Sequence, residues 1–492
     1  MSGPSGAGHR RQGMIKFGTD GWRGVIADDF TFDRLWIVAC AISKYVVGNS
    51  EGREPLLLIG YDTRFNSDRF AQLCAIAAST YGVRVKIAES FVPTPAVSYA
   101  TVDLKADGAI MITASHNPPR YDGIKFKAPY GGSASTSITT EIEQELRRVE
   151  SEPPRRPDVL FEDVIAPGKV ELFNPVPRYL DKVVSMINAD VFPAKGIKVM
   201  FDPLYGAGQG LFARALEVLG MDCSQIHGEH NPLFPGLFPE PIGDNLNELK
   251  EAVVGGGYQV GIAVDGDADR VTAIDASGRF ISSHMVFALL LKHLVEVRGW
   301  TGDVVKTVST TTMIDRLCEK YGRKLYVVPV GFKYIADLML EENILIGGEE
   351  SGGTGIKNYI PERDGILIGL LLVEIMATHG KTLWQLIDEL MDELGQRFVY
   401  LRRDIEITQA HKEALLVNLH ELKPERIGDL KVTDVETTDG LKFHREDGSW
   451  VMLRVSGTEA VVRVYAEATS EQEVEDLVAQ GVKLMNQVAP EE

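Results

Sequence analysis

Cysteine is scarce: Cys40, Cys74, Cys223 and Cys318 are the only four in 492 residues, and no two form a C-x-x-C pair. That scatter speaks against a disulfide framework or a thiolate zinc site and fits a reducing, cytoplasmic setting. Long apolar runs are missing too. The longest, Gly365 to Val373 (GILIGLLLV), is halted by Glu374, far short of the ~20 residues of a spanning helix, so no membrane is expected as partner. Positive charge is in deficit. Lys and Arg number 51 against 70 Asp and Glu, a net charge of -19, which argues against nucleic acid or anionic lipid as partner. The opening residues (MSGPSGAGHRRQ) lack the apolar stretch of a secretory signal, and residues 1–13 read as a disordered extension.

What is present is an ordinary globular balance, 44% hydrophobic and 25% charged. A single core rarely grows past ~250–300 residues, so three or four domains are expected. One rhythm recurs three times: an apolar strand, a helix, another strand, then a polar loop. It runs through Leu56–Tyr61 and on to the run GAIMIT before Ser115. It returns from Ile197–Phe201 to Val260–Val264, and from Asp303–Val308 to Ile344–Ile346. Such alternation predicts parallel α/β units, whose ligands gather beyond the carboxyl ends of the strands. After Gly395 strands and helices segregate, with a strand at Phe398–Ile407, a helix at His411–Leu422 stopped by Pro424, and a closing helix at Glu471–Gln487. The fold class is therefore α/β: three similar α/β domains with mixed or parallel sheets, then a C-terminal α+β domain. The expected spans are 14–180, 181–300, 301–395 and 396–492.

Four loops carry chemistry. Thr113-Ala-Ser-His-Asn-Pro118 holds Ser115 at the end of a buried strand, before Asn-Pro turn chemistry. A serine hydrolase is a poor reading, because G-x-S-x-G is absent and adjacent His116 points away from its neighbour. Asp265, Asp267 and Asp269 alternate just after a strand, where three carboxylates repel one another unless a cation sits among them. An EF-hand is excluded, since its sixth position would be Arg270 and its twelfth Ala276. Oxygen-only ligation by three carboxylates favours Mg²⁺, with Arg270 beside it as a phosphate donor. Glu349 and Ser351, in GEESGG, suit hydrogen bonds to sugar hydroxyls. Arg454, Ser456, Gly457, Thr458 and Arg463 outline a phosphate cradle of hydroxyls, approachable backbone N–H groups and two guanidinium forks.

Together, in this order and over nearly the whole chain from Met14, these loops resemble the α-D-phosphohexomutase family, sugar-phosphate mutases that work through a phosphoserine. The resemblance implies four domains around a central cleft. It implies that Ser115 carries the phosphoryl group and joins the three aspartates on the cation. His116 and Lys125 match the family's S-H-N-P-P and G-x-K pattern, the lysine being implicated in proton transfer and charge stabilisation. Arg23, in FGTDGWRG, resembles the N-terminal active-site arginine, and Lys333, in VGFKYI, the sugar- and phosphate-contacting loop of the third domain. The wording EESGG is nearer the glucose-preferring branch than the mannose-using one, whose loop usually has Met after the first Glu and His at position 353. The implied activity interconverts glucose 1-phosphate and glucose 6-phosphate through glucose 1,6-bisphosphate, in a cytoplasmic monomer or homodimer. The alternatives are mannose or glucosamine phosphate as substrate within the family, or a metal-dependent sugar-phosphate phosphatase outside it.

Overall fold

The apolar runs become the central strands of four sheets in the computed structural model, which describes residues 15–18, 21–165, 168–192, 196–457 and 460–488. The extension expected over residues 1–13 lies outside the described residues. The first sheet has six strands in the order Trp22–Val25, Tyr121–Lys127, Gly108–Ile112, Leu56–Tyr61, Arg84–Ala88, Val170–Phe173. Leu56–Tyr61 pairs in parallel with Arg84–Ala88 and Gly108–Ile112. The second sheet centres on Val199–Asp202 and Val260–Val264, also parallel. The third centres on Asp303–Thr307 and Ile344–Gly348, parallel as well. In the C-terminal sheet every pairing is antiparallel.

One detail departs from the simple parallel reading. Each strand that delivers a chemical loop is answered by an antiparallel return. Gly108–Ile112 pairs back with Tyr121–Lys127, Val260–Val264 with Val271–Asp275, and Ile344–Gly348 with Thr354–Ile356. The loops are thus hairpin tips held from both sides rather than strand-to-helix crossovers. Sequence patterning misses the return Tyr121–Lys127 (YDGIKFK) because charges interrupt it, yet six of its seven residues are buried. The C-terminal helix expected to reach Leu422 ends at Asn418, and a 3-10 turn at Leu419–Glu421 completes it.

The three α/β sheets share a core in addition to clusters of their own, such as that of Trp36, Leu57, Phe70 and Ile110 in the first domain. One apolar cluster runs from Leu58 and Met111, through Phe201 and Ile262, to Leu345 and the helix Gly365–His379. That helix is buried over thirteen residues and packs on both Val260–Val264 and Val271–Asp275. Its charged interruption, Glu374, is 1% exposed and satisfied by Arg298, His293 and the Asn188 amide. The C-terminal sheet has its own core around Phe443, Leu453, Val464 and Leu477. It meets the third domain through Trp450, Met452 and Tyr465 against Val308. The helix Val176–Ser185 runs through the division expected at residue 180. No single described helix is long and apolar enough to cross a membrane.

Candidate active site

Ser115 sits at the tip of the first hairpin in a left-handed conformation, φ 52°, with 1% of its surface exposed. Such a backbone is costly for a residue with a Cβ and persists only where its surroundings over-determine it. Here they do. The Ser115 amide donates to Thr113 Oγ1 at 2.8 Å, and Thr113 Oγ1 donates to Asp62 at 2.6 Å. The side chain thereby projects across the domain boundary, where Ser115 Oγ donates to Asp265 Oδ2 at 2.7 Å.

Asp265, Asp267 and Asp269 converge, each offering a carboxylate oxygen within 4.8 Å of the others, and all three are buried. Their loop turns tightly because Ala268 takes a positive φ and Asp265 Oδ1 accepts from the Asp269 and Arg270 amides. Burial, then the neighbouring Asp269 and Asp267, push the Asp265 carboxyl far above the ordinary carboxylate range. Burial would raise Asp267 as well, but Lys125 and Thr94 outweigh it and hold that group ionised. Oδ1 of Asp267 and Oδ1 of Asp269 are buried without a hydrogen-bond partner. Two orphaned anionic oxygens beside a crowded third carboxylate fit a hard divalent cation, whose charge would satisfy them all.

Cations already surround the cluster. Lys125 Nζ donates to Asp267 at 2.9 Å and to Asp269 at 3.2 Å. Arg270 Nε lies 3.9 Å from Asp265 and 3.8 Å from Asp269, close enough for attraction but too far for a hydrogen bond. His116, expected to point away from Ser115, instead places Nδ1 3.5 Å from the serine Oγ. Burial, then Arg270, Arg23 and Arg402, press its pKa well below the usual value, so the imidazole is neutral at physiological pH. Arg23 donates to Asn117 Oδ1 at 2.7 Å, on the same hairpin tip.

The third-domain loop abuts the aspartate loop directly, since Arg270 and Gly353 form an isolated antiparallel bridge. Glu349 is buried, and burial raises its pKa against the opposing pull of Arg363 and Arg270. Ser351 lies partly exposed in the same turn. Lys333 does not join this group. It lies in the first turn of the helix Phe332–Glu341, with its ammonium 5.0 Å from the neighbouring Tyr334 ring. The C-terminal cradle also stands apart from the aspartates. Arg454 and Arg463 face each other across adjacent strands, Arg454 bonded to Asp439 at 2.8 Å and Arg463 to Asp404 at 3.4 Å. Ser456 is buried, and the Gly457 carbonyl accepts from Lys412 at 3.3 Å. Thr458 lies outside the described residues.

Several participants escape sequence reasoning. Arg363 bridges two loops, 2.8 Å from Asp269 and 3.4 Å from Glu349. A Cβ at Gly353 would stand 2.2 Å from Arg363 Cδ, so glycine there is what lets the arginine lie across the loop. Thr94 ties the first domain to the second, its hydroxyl and its amide both bonded to Asp267. Arg402, on the strand Val399–Glu406, reaches Glu350 at 3.4 Å and carries C-terminal charge toward the cleft. The only sequence hints were polar residues directly after apolar strands, as in Tyr61-Asp-Thr-Arg64, or before a long apolar helix, as in Pro361-Glu-Arg-Asp364.

With that geometry in view, comparison with known proteins gives a consistent result. Models of the phosphoglucomutase/phosphomannomutase family match in all four parts: α/β/α domain I at residues 14–153, domain II at 177–278, domain III at 282–394 and the C-terminal domain at 409–484. The chain is 31% identical over 476 residues to a phosphoglucomutase/phosphomannomutase of Thermococcus kodakarensis, covering 96% of this chain and 98% of that one. It is 30% identical to a phosphoglucosamine mutase of Limosilactobacillus fermentum, covering 96% and 98%. Among solved structures it resembles that of a Thermus thermophilus protein provisionally described as a phosphomannomutase. The TM-score there is 0.84 and the identity 33%, over 96% of this chain and 99% of that one.

Proposed function

The chain belongs to the phosphoglucomutase/phosphomannomutase family of phosphohexomutases, and from that premise we propose that it interconverts glucose 1-phosphate and glucose 6-phosphate through a phosphoserine at Ser115. The observation that carries this reading is Ser115 Oγ, buried and 2.7 Å from Asp265, at the edge of the three-aspartate cluster. Phospho-Ser115 gives its phosphoryl group to the free hydroxyl of the sugar phosphate. The resulting glucose 1,6-bisphosphate turns in the cleft, and its other phosphate returns to Ser115. Asp265, Asp267 and Asp269, with a phosphoserine oxygen, would hold Mg²⁺, which supplies charge neutralisation on the serine oxygen as its bond to phosphorus breaks. His116, kept neutral, adjoins the serine oxygen, and Lys125 is the group assigned to proton transfer. Lys125 and Arg270 balance charge on the phosphoryl oxygens, and Arg23 orders the tip through Asn117.

We assign sugar recognition to Glu349 and Ser351, with Lys333 at the rim. Arg454, Ser456, Gly457, Thr458 and Arg463 hold the phosphate that is not reacting. Glucosamine phosphate is the second reading, because a relative of that name matches at nearly the same identity. Membership of a mutase family, together with the burial of Ser115 away from water, favours transfer over a phosphatase reaction. The test is Ser115→Ala. Intact-protein mass spectrometry should show one phosphate on the wild type and none on the variant, with turnover lowered by several orders of magnitude. Near-normal turnover in the variant overturns the assignment. Parallel kcat/KM values for glucose, mannose and glucosamine 1-phosphates decide the sugar, and glucose is expected to be highest.

A further inference from the structure

Behind the Ser115 tip lies an arginine to which the chemistry above gives no part. Arg64 follows the strand Leu56–Tyr61, and its side chain is fully buried. Its guanidinium donates to four main-chain carbonyls of one hairpin tip. Nη2 reaches Ser115 O at 2.7 Å and Asn117 O at 2.6 Å, while Nη1 reaches Pro118 O at 2.9 Å and Tyr121 O at 3.0 Å. The remaining donor, Nε, lies 3.2 Å from Asp62 Oδ2. That same Asp62 oxygen accepts from Thr113 Oγ1, which holds the Ser115 amide. One planar group therefore binds the tip through its carbonyls, while its carboxylate partner binds the tip through Thr113.

We infer that Arg64 is a positioning residue for phosphoryl transfer, fixing the Ser115 tip in the left-handed conformation that aims Oγ at the aspartate cluster. A tip of eight residues carrying a non-glycine residue at positive φ has no reason of its own to stay there. Two loops confine the arginine in turn. Phe234 of the second domain covers it, with the guanidinium carbon 5.4 Å from the ring centre. The backbone of Gly266 closes on the Ser115 carbonyl so tightly that a Cβ there would stand 2.5 Å away. Lysine cannot replace the fork, because its three donors radiate from one nitrogen and cannot span carbonyls at residues 115, 117, 118 and 121. Arg64 touches neither the aspartates nor the sugar-binding loop in these contacts. Its removal should thus weaken the reaction without weakening binding of the sugar phosphate, and should touch the cation only through the Ser115 ligand. The inference rests on Ser115 being the phosphoryl carrier.

The full chain with Arg64→Lys is compared with wild type and with Asp62→Asn, which keeps the shape of the anchor but removes its charge. Hydrogen exchange of the peptide covering residues 113–121 is read beside kcat, KM and Mg²⁺ affinity. Arg64→Lys should speed exchange at the tip at least ~10-fold while strands elsewhere stay protected. It should lower kcat about 100-fold, the scale on which small misplacements of reacting groups are felt. KM should stay within about twofold, and Mg²⁺ affinity should fall far less than kcat, because the three aspartates keep their places. Asp62→Asn should show the same pattern at smaller amplitude, and it decides alone if the lysine variant does not fold. Unchanged exchange at the tip overturns the inference, as does a loosened tip with kcat within about threefold of wild type. A wild type inactive on glucose, mannose and glucosamine phosphates would count against the functional reading instead, and the exchange arm would still judge what Arg64 does to the tip.

Discussion

Asp267 is gripped from the first domain before any cation arrives, by Thr94 and Lys125, yet its Oδ1 has no hydrogen-bond partner. A carboxylate held at a fixed angle with one oxygen spare is pre-organised as a metal ligand. Asp267→Asn keeps the shape but removes the charge, so it should raise the Mg²⁺ concentration for half-maximal turnover by about tenfold or more. Titration after exhaustive chelation, with elemental analysis of the stripped protein, checks this; an unchanged requirement removes Asp267 from the ligand set. The three aspartates were legible in the sequence because alternation after an apolar strand is a pattern that repulsion alone disfavours. Arg64 and Arg363 were not. A single arginine in a short polar turn looks the same whether solvent or four carbonyls surround it, and only the folded chain distinguishes the two. Lys333 is the converse case: its motif is legible, while its ammonium lies 5.0 Å from the Tyr334 ring of its own helix.

At the scale of elements, the junction between the third and C-terminal domains is built from groups that burial drives neutral. His284, at the start of the helix Ser283–Glu296, lies with its ring 4.0 Å from that of Tyr400 on the strand Val399–Glu406. It accepts from the Thr311 amide at 3.3 Å. Burial, helped by Lys306 and Lys442 and opposed by Glu350, lowers its pKa from 6.5 to about 4. The unfolded chain therefore binds this proton more readily than the folded one. The stability concerned is fully present above pH 6.5 and drains away as pH falls toward 4. From this group alone the protein should lose roughly 2–3 kcal/mol between pH 7.5 and pH 4.5. Urea unfolding of wild type and His284→Asn at the two pH values checks it, since the variant should show a shallower acid loss; parallel losses would place the acid sensitivity elsewhere. The strands meeting here were foreseeable from alternation, but the return strand Tyr121–Lys127 was not. Tyr121–Lys127 carries Asp122, Lys125 and Lys127 on a strand that is almost wholly buried, a composition that ordinary strand preferences disfavour. Tertiary partners satisfy these charges: Asp122 accepts from Ser67, Lys127 meets Glu362 and Lys125 meets Asp267.

Across the whole molecule, the charge we assign to the non-reacting phosphate lies in a sheet with a core of its own, and Arg402 extends from that sheet to Glu350. Arg463, 3.4 Å from Asp404, can turn that charge to substrate. Arg463→Ala should raise KM for the sugar phosphate about tenfold or more in both reaction directions, the loss of one charge-assisted bond, while kcat changes little. Equal KM values in the variant and wild type would locate the phosphate grip elsewhere. The sequence divides readily into three repeating units and a C-terminal one of different architecture. The core does not, because apolar periodicity reports which residues are buried but not which partner buries them. The helix Gly365–His379 illustrates the cost. Its sequence neighbours lie in the third domain, but it seals strands around residues 260–275, made a hundred residues earlier. During synthesis the second sheet must therefore wait, with apolar surface uncovered, until residue 379 has left the ribosome. At translation rates of ~5–20 residues per second that exposure lasts roughly 5–20 s. The nascent chain is thus most dependent on chaperone protection after its second sheet has been made, and the second and third domains should mature together, whereas the first can pack its own cluster earlier.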